Sequence, residues 1–339
     1  MQQNGSPAIN SKEMKQFNWF FLFCLWCGLI QGQRSEDFGF RHLQYQFEGD
    51  TVEVLVKSKK GEEHLKKPIF FSVQGSLAVP LIIHNKKHRT SYTTLEEGFV
   101  EDQYHLVIVN KPGVPLVAHQ DSLVGQEFFI DRDNYRYSEK YLKNNNKEYY
   151  VARNLTIIDS LFKKEWVDTS KLIVSGHSQG SGIAASMCDM SPKPTHLIYS
   201  SGLPYFSTML AIIAKERMKE GIENNPRIER AFTSWLEVLD DPFNHYNPHR
   251  DSNKTLYSFS KNENEILKRL KIPVLISYGT MDESSPYQDM FRLETLRDRT
   301  EQITFMPFVG LDHNYHSNTQ NIDFLKNVVS DWLNWIALH

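Results

Sequence analysis

The pentapeptide Gly176-His177-Ser178-Gln179-Gly180 constrains this chain more than any other stretch. It follows the short apolar run Leu172-Ile173-Val174 and opens into Ser181-Gly182-Ile183-Ala184-Ala185, so it reads as strand, sharp turn and helix. Glycines at both ends permit a strained turn that lifts a serine hydroxyl out of the backbone. Small residues just afterwards let the helix close on its own strand. Ser178 is therefore the candidate nucleophile, and the competing reading is an ordinary glycine- and serine-rich loop.

A nucleophile of this kind needs a sizeable scaffold, and the composition provides for one. Of 339 residues, 40% are hydrophobic and 12% aromatic, enough for the core of one large α/β domain and too many for a disordered chain. The 38 basic and 41 acidic residues leave a net charge of -3, which points to neither nucleic acid nor an anionic membrane surface. Small neutral substrates are the default expectation.

The N-terminus reads as an address. Lys12 and Lys15 precede the run Phe17 to Ile30, apolar apart from Asn18, and Gln31-Gly32-Gln33-Arg34 follows. The pattern predicts a signal peptide over 1–32, with Met14 as an alternative start and cleavage near Gly32. The mature chain, from residue 33, would then be secreted or periplasmic with no stable membrane span. An uncleaved anchor is the rival reading, but the run is shorter than the roughly 20 residues a spanning helix needs. Lipid attachment at Cys24 or Cys27 fits less well, since Phe23 or Trp26 stands where a small residue is expected. Removal of the leader would leave Cys188 alone, which excludes an internal disulfide and suits a small buried apolar side chain better than a reactive thiol.

Along the mature chain, Arg41 to Phe47 and Thr51 to Lys57 alternate around Glu48-Gly49-Asp50, the signature of a hairpin. Pro68 to Val73 and Tyr104 to Val109 are too apolar for half-exposed strands and predict buried ones. Lys111 to Lys147 has no sustained period and reads as a long surface insertion at the mouth of a site. Helical spacing marks Tyr149 to Phe162, and strands are expected at Thr195 to Ser200, Ile272 to Tyr278 and Gln302 to Met306. Leu203 to Leu270 is too long for a simple crossover; periodicity in Phe206 to Lys219 and Ile228 to Leu239 predicts a helical cap insertion over about 203–270. Helices at Gln288 to Arg297 and Asn321 to Leu338 close the chain. Two hairpin strands and six more, mostly separated by helices, imply a mainly parallel eight-stranded sheet with helices on both faces.

A serine hydroxyl at neutral pH needs a base, and the base needs an orienting group. Two strand ends supply them. Ile272 to Tyr278 runs into Gly279-Thr280-Met281-Asp282, and Gln302 to Met306 runs into Pro307-Phe308-Val309-Gly310-Leu311-Asp312-His313. Catalytic groups of open α/β sheets gather beyond the carboxyl ends of strands, so Asp282 and His313 could meet Ser178 there. Glu283 and Asp312 are rival orienting groups, although Asp312 is the immediate neighbour of His313 and poorly placed to reach its ring. His316 and His177 are rival bases.

The elbow, the strand count and the order Ser, Asp, His resemble the α/β-hydrolase superfamily. The acid and histidine turns resemble those of its prolyl-oligopeptidase and dienelactone-hydrolase branches, without a propeller domain or a cysteine nucleophile. The resemblance covers Pro68 to the C-terminus, with the hairpin as the first two strands, in a domain spanning 33–339. It implies Ser178 as nucleophile, His313 as general acid and base, and Asp282 as the group that holds the imidazole. It also implies an oxyanion hole from the N–H groups of Gln179 and Ser76, the latter in Gln74-Gly75-Ser76, where Gln74 replaces a histidine common in relatives. The implied activity is hydrolysis of an ester, thioester or amide through an acyl-enzyme, with carboxylesterase-like chemistry ahead of a peptidase acting on short peptides. A non-catalytic binding protein on the same fold is the third reading. No cofactor or metal is implied. The spacing His245-Tyr246-Asn247-Pro248-His249 would suit two metal ligands only on a helix, which Pro248 interrupts. Lys86-Lys87-His88-Arg89 reads as a solvated surface rather than a site for an acidic group, and Trp235, Tyr205 and Phe206 as core rather than pocket.

Overall fold

The computed structural model describes residues 34–85, 89–91, 99–125, 128–130, 133, 136–219, 226–247, 251–317 and 324–339. The expected signal peptide lies outside them. So do Lys86, Lys87, His88, Pro248 and His249.

The strands follow the apolar runs, each within a few residues of its expected bounds. The hairpin is β1 (Phe40–Phe47) and β2 (Asp50–Lys57), turned by Glu48 and Gly49, both at positive φ. Next come β3 (Lys67–Val73), β4 (Ile82–His84), β5 (Arg89–Ser91), β6 (His105–Val109), β7 (Val117–His119), β8 (Val167–His177), β9 (His196–Ser200), β10 (Val274–Gly279) and β11 (Ile303–Phe308). Eight of them form one sheet in the order β1-β2-β6-β3-β8-β9-β10-β11. The pairs β1/β2 and β2/β6 are antiparallel and every later pair is parallel.

The helices are α1 (Glu139–Asn144), α2 (Lys147–Leu161), α3 (Gln179–Met190), α4 (Ser207–Lys219), α5 (Arg227–Asp240), α6 (Asn253–Phe259), α7 (Asn264–Arg269), α8 (Ser285–Asp298) and α9 (Leu325–Leu338). They cover both faces of the sheet because its central strands are apolar on both sides. On β3, Ile69, Phe71 and Val73 enter one cluster with Ile158 of α2 and Ile183 of α3, while Phe70 faces the other cluster with Trp332 and Ile336 of α9. The same alternation puts Leu172 and Val174 of β8 on one side and Ile173 on the other. Successive strand side chains point to opposite faces, so an unbroken apolar run needs two covers.

Three features differ from the sequence reading. A second, three-stranded sheet of order β5-β4-β7 was not expected, since strands of three residues carry no period to detect. The stretch 111–147 is not wholly a surface loop: Lys111, Tyr141 and Asn144 to Lys147 are buried, and Asn145 is tied to Asp251 and Tyr150. Between 203 and 270 stand four helices rather than two, α6 and α7 being short. Tyr205 packs edge-on to Phe291 and Trp235 stacks on Tyr257, as expected of core residues, whereas Phe206 is exposed. Cys188 is buried, which pushes its thiol pKa up. Among the described residues no helix is long and apolar enough to cross a membrane.

Candidate active site

Strand β8 ends at His177 and α3 begins at Gln179, so Ser178 alone makes the turn, at φ 56 and ψ -124. A non-glycine residue at positive φ is strained, and such strain persists only where the surroundings impose it. Here they do. The Ser178 N–H donates to the Ser200 carbonyl at 2.8 Å, and its carbonyl accepts from the Ser181 N–H and hydroxyl. A Cβ on Gly176 would lie 2.1 Å from the Gly180 carbonyl oxygen, and one on Gly180 would lie 2.5 Å from that of Val73. The two glycines therefore set how closely helix, strand and the loop after β3 approach. The Ser178 hydroxyl has no hydrogen-bond partner among the described residues.

The ends of β10 and β11 carry the other two groups. His313 Nδ1 lies 2.7 Å from Asp282 Oδ2, and the Asp282 side chain is 1% exposed against 32% for that of His313. The other carboxylate oxygen, Oδ1, accepts from the Ser284 N–H at 2.9 Å and the Ser284 hydroxyl at 2.7 Å. Burial works to raise the Asp282 pKa, but the hydrogen bonds from His313 and Ser284 overcome it and hold the carboxylate below its ordinary range. Asp312 is turned away from this pair: its Oδ1 accepts the N–H groups of Asn314 and His316 and shapes the turn that presents His313. His316 is exposed, with its side chain 64% accessible, and makes no contact with Asp282. Glu283 lines a cavity with Asp282 but does not bond the imidazole.

Ser178 and His313 both line two cavities, of about 210 and about 200 Å3. The first is walled by Leu77, Val79 and Ile108; the second is lined by Ser201, Thr208, Asp251 and Glu283, among others. Ser76 and Lys215 also line both. Gln179 is the first residue of α3, so its N–H is one of the donors a helix leaves unpaired at its N-terminus. Ser76 N–H likewise has no partner among the described residues, while its carbonyl accepts from the buried Tyr141 hydroxyl at 3.1 Å. Sequence reasoning did not find Tyr141, Lys215 or Ser200, which come from distant segments and carry no motif.

His177 is buried beside the nucleophile. Its ring lies 5.1 Å from that of His313, Nδ1 is 3.0 Å from Ser200 Oγ, and Nε2 is 3.3 Å from Asn314 Oδ1. Burial first, and then the neighbouring His313, push its pKa down to about 3. It is neutral at pH 7.

No family model matches the sequence. Solved structures share the architecture. Est1E from Butyrivibrio proteoclasticus superposes with a TM-score of 0.52 at 14% identity, over 87% of this chain and 97% of that one. E-2-(Acetamidomethylene)succinate hydrolase gives a TM-score of 0.50 at 15% identity, over 87% and 99%. This chain has the α/β-hydrolase fold. Uncomplexed acylaminoacyl peptidase from Pyrococcus horikoshii gives a TM-score of 0.54 at 16% identity over 88% of this chain, which spans 41% of the peptidase. Within the α/β-hydrolase fold, the turn at Ser178 and the ends of β10 and β11 lie at the carboxyl edge of the parallel strands, where ligands of open α/β sheets bind.

Proposed function

We propose that the chain is a serine hydrolase that cleaves an ester, thioester or amide through an acyl-enzyme, with carboxylesterase-like activity on small molecules. The observation that carries this reading is the Ser178 hydroxyl, without a hydrogen-bond partner among the described residues and held on a strained turn, in the same cavities as an imidazole bonded to a buried carboxylate. Ser178 Oγ attacks the acyl carbon and its proton passes to His313 Nε2. Asp282, bonded to Nδ1–H, keeps Nε2 free to accept and stabilises the imidazolium that forms. The N–H groups of Gln179 and Ser76 receive the oxyanion, each worth roughly 3 kcal/mol to the transition state. Collapse expels the leaving group, which takes its proton from His313. Water then repeats the sequence on the acyl-enzyme and releases the acid. The two cavities that Ser178 lines would take the acyl and leaving-group arms.

A peptidase acting on short peptides uses the same machinery. It is favoured by Asp251 and Glu283 in the second cavity, whose carboxylates suit an amino group. The expected leader over 1–32 would make the protein secreted or periplasmic, and N-terminal sequencing of exported protein tests that. A fluorophosphonate probe should label the folded wild type and not Ser178→Ala. A panel of acyl esters and aminoacyl amides then separates the activities: turnover confined to the amides replaces esterase with peptidase, and an unlabelled, folded wild type refutes the hydrolase.

A further inference from the structure

Two histidines flank Ser178, and the mechanism uses one. Why the other does not compete is answered by a chain of buried groups that runs under the site. Trp332 Nε1 donates to Ser277 Oγ at 2.9 Å; Ser277 Oγ is 2.9 Å from the Tyr315 hydroxyl; that hydroxyl is 2.6 Å from Ser200 Oγ; and Ser200 Oγ is 3.0 Å from His177 Nδ1. Trp332, Ser277, Tyr315 and Ser200 are each no more than 1% exposed, and His177 is 6% exposed. Each hydroxyl has one hydrogen, so each interior bond can run in either of two directions.

The end of the chain removes that freedom, because an indole nitrogen only donates. If His177 Nδ1 carried the proton and donated to Ser200, the bonds would run the other way. The Ser277 oxygen would then accept from both the indole N–H and the Tyr315 hydroxyl, and its own hydrogen would have no acceptor among the described residues. In the opposite sense every hydrogen is used: Trp332 to Ser277, Ser277 to Tyr315, Tyr315 to Ser200, Ser200 to His177 Nδ1, and His177 Nε2–H to Asn314 Oδ1, 3.3 Å away. We infer that Trp332, through Ser277, Tyr315 and Ser200, locks His177 as the neutral Nε2–H tautomer and so disables it as a base beside Ser178.

The consequences reach the catalytic groups. The His177 lone pair on Nδ1 is occupied by Ser200, and its Nε2 already bears hydrogen, so neither nitrogen can take the serine proton. A neutral ring 5.1 Å from His313 also leaves the developing imidazolium unopposed. The depressed pKa of His177 agrees with a ring that stays uncharged. The chain also joins the reacting residues mechanically. Ser200 receives the Ser178 N–H on its carbonyl and meets His177 and Tyr315 with its hydroxyl, while Tyr315, at φ 63, belongs to the turn that carries His313. Ser200, Ser277, Tyr315 and Trp332 are positioning residues that act through His177, which itself lines the first cavity.

The catalytic consequence rests on the serine-hydrolase reading; the tautomer does not, so the two can fail separately. Long-range proton–nitrogen correlation spectra of 15N-histidine-labelled wild type read the ring directly. Nδ1 should be unprotonated and Nε2 protonated from pH 5 to 8, with no titration of His177. A protonated Nδ1, or a midpoint in that range, overturns the inference whether or not the protein hydrolyses anything. Trp332→Phe keeps the aromatic bulk and frees the direction of the chain, so both tautomers should appear. Ser200→Ala removes the donor to Nδ1 while Asn314 Oδ1 still accepts from Nε2–H, so the tautomer should persist with the Nδ1 resonance moved by the lost hydrogen bond, and kcat should fall about fivefold with KM little changed. Should Trp332→Phe keep the wild-type nitrogen pattern, the chain does not set the tautomer.

Discussion

Replacing Asp282 with asparagine tests the arrangement around His313 most severely, because the local bonds dictate how the amide must sit. Asp282 Oδ1 accepts from the Ser284 N–H and hydroxyl at 2.9 and 2.7 Å. A backbone N–H can only donate, so the asparagine carbonyl must occupy that position and its NH2 must face His313 Nδ1, 2.7 Å from the present Oδ2. Nδ1 then has to accept, the ring proton moves to Nε2, and the nitrogen facing Ser178 can no longer take a proton. A carboxylate-to-amide change that fixes the wrong tautomer in a serine triad costs ~10^4 in kcat, about 5 kcal/mol of transition-state stabilisation. Initial rates on a 4-nitrophenyl ester, with active-site titration by a fluorophosphonate and a thermal melt to confirm folding, measure it. A folded Asp282→Asn that keeps more than about a tenth of the wild-type kcat would refute the assignment of Asp282 as the orienting group.

Three further outcomes follow from the same coordinates. Burial pushes Lys111 down to about 7 from 10.5, against the pull of Asp251. Between those values the unfolded chain binds more protons, so stability should rise with pH, by up to about 1.4 kcal/mol per unit; urea unfolding at pH 7 and 9 should show this slope lost in Lys111→Met, with that variant more stable at pH 7. In Gly180→Ala the new Cβ meets the carbonyl oxygens of Val73 and Gln74 at 2.5 and 2.6 Å, which should cost about 1–3 kcal/mol in urea unfolding and abolish probe labelling. Tyr141→Phe removes the donor to the Ser76 carbonyl and should lower kcat about fivefold with KM unchanged, read by steady-state kinetics.

What the chain reveals by itself is whatever a local pattern can encode. Alternation around a turn marked the two hairpin strands, and apolar runs marked the inner strands of the main sheet because a strand buried on both faces must be apolar at nearly every position. The elbow was legible because its glycines answer to steric limits within five residues, and Asp282 and His313 because each follows a strand end. Tertiary structure alone decided what depends on distant segments meeting. It brought His313 to Asp282 and set both beside Ser178. It buried both ends of an insertion that looked like a surface loop, and it formed a second sheet from strands of three residues, too short to show a period. It also set two histidines near Ser178 in different surroundings. His177 sits nearer to Ser178 in the chain, yet it is buried and its nitrogens lie against Ser200 and Asn314, whereas Nε2 of His313 has no hydrogen-bond partner among the described residues. Which imidazole can take a proton is a property of the groups packed around it, and no spacing along the chain encodes that.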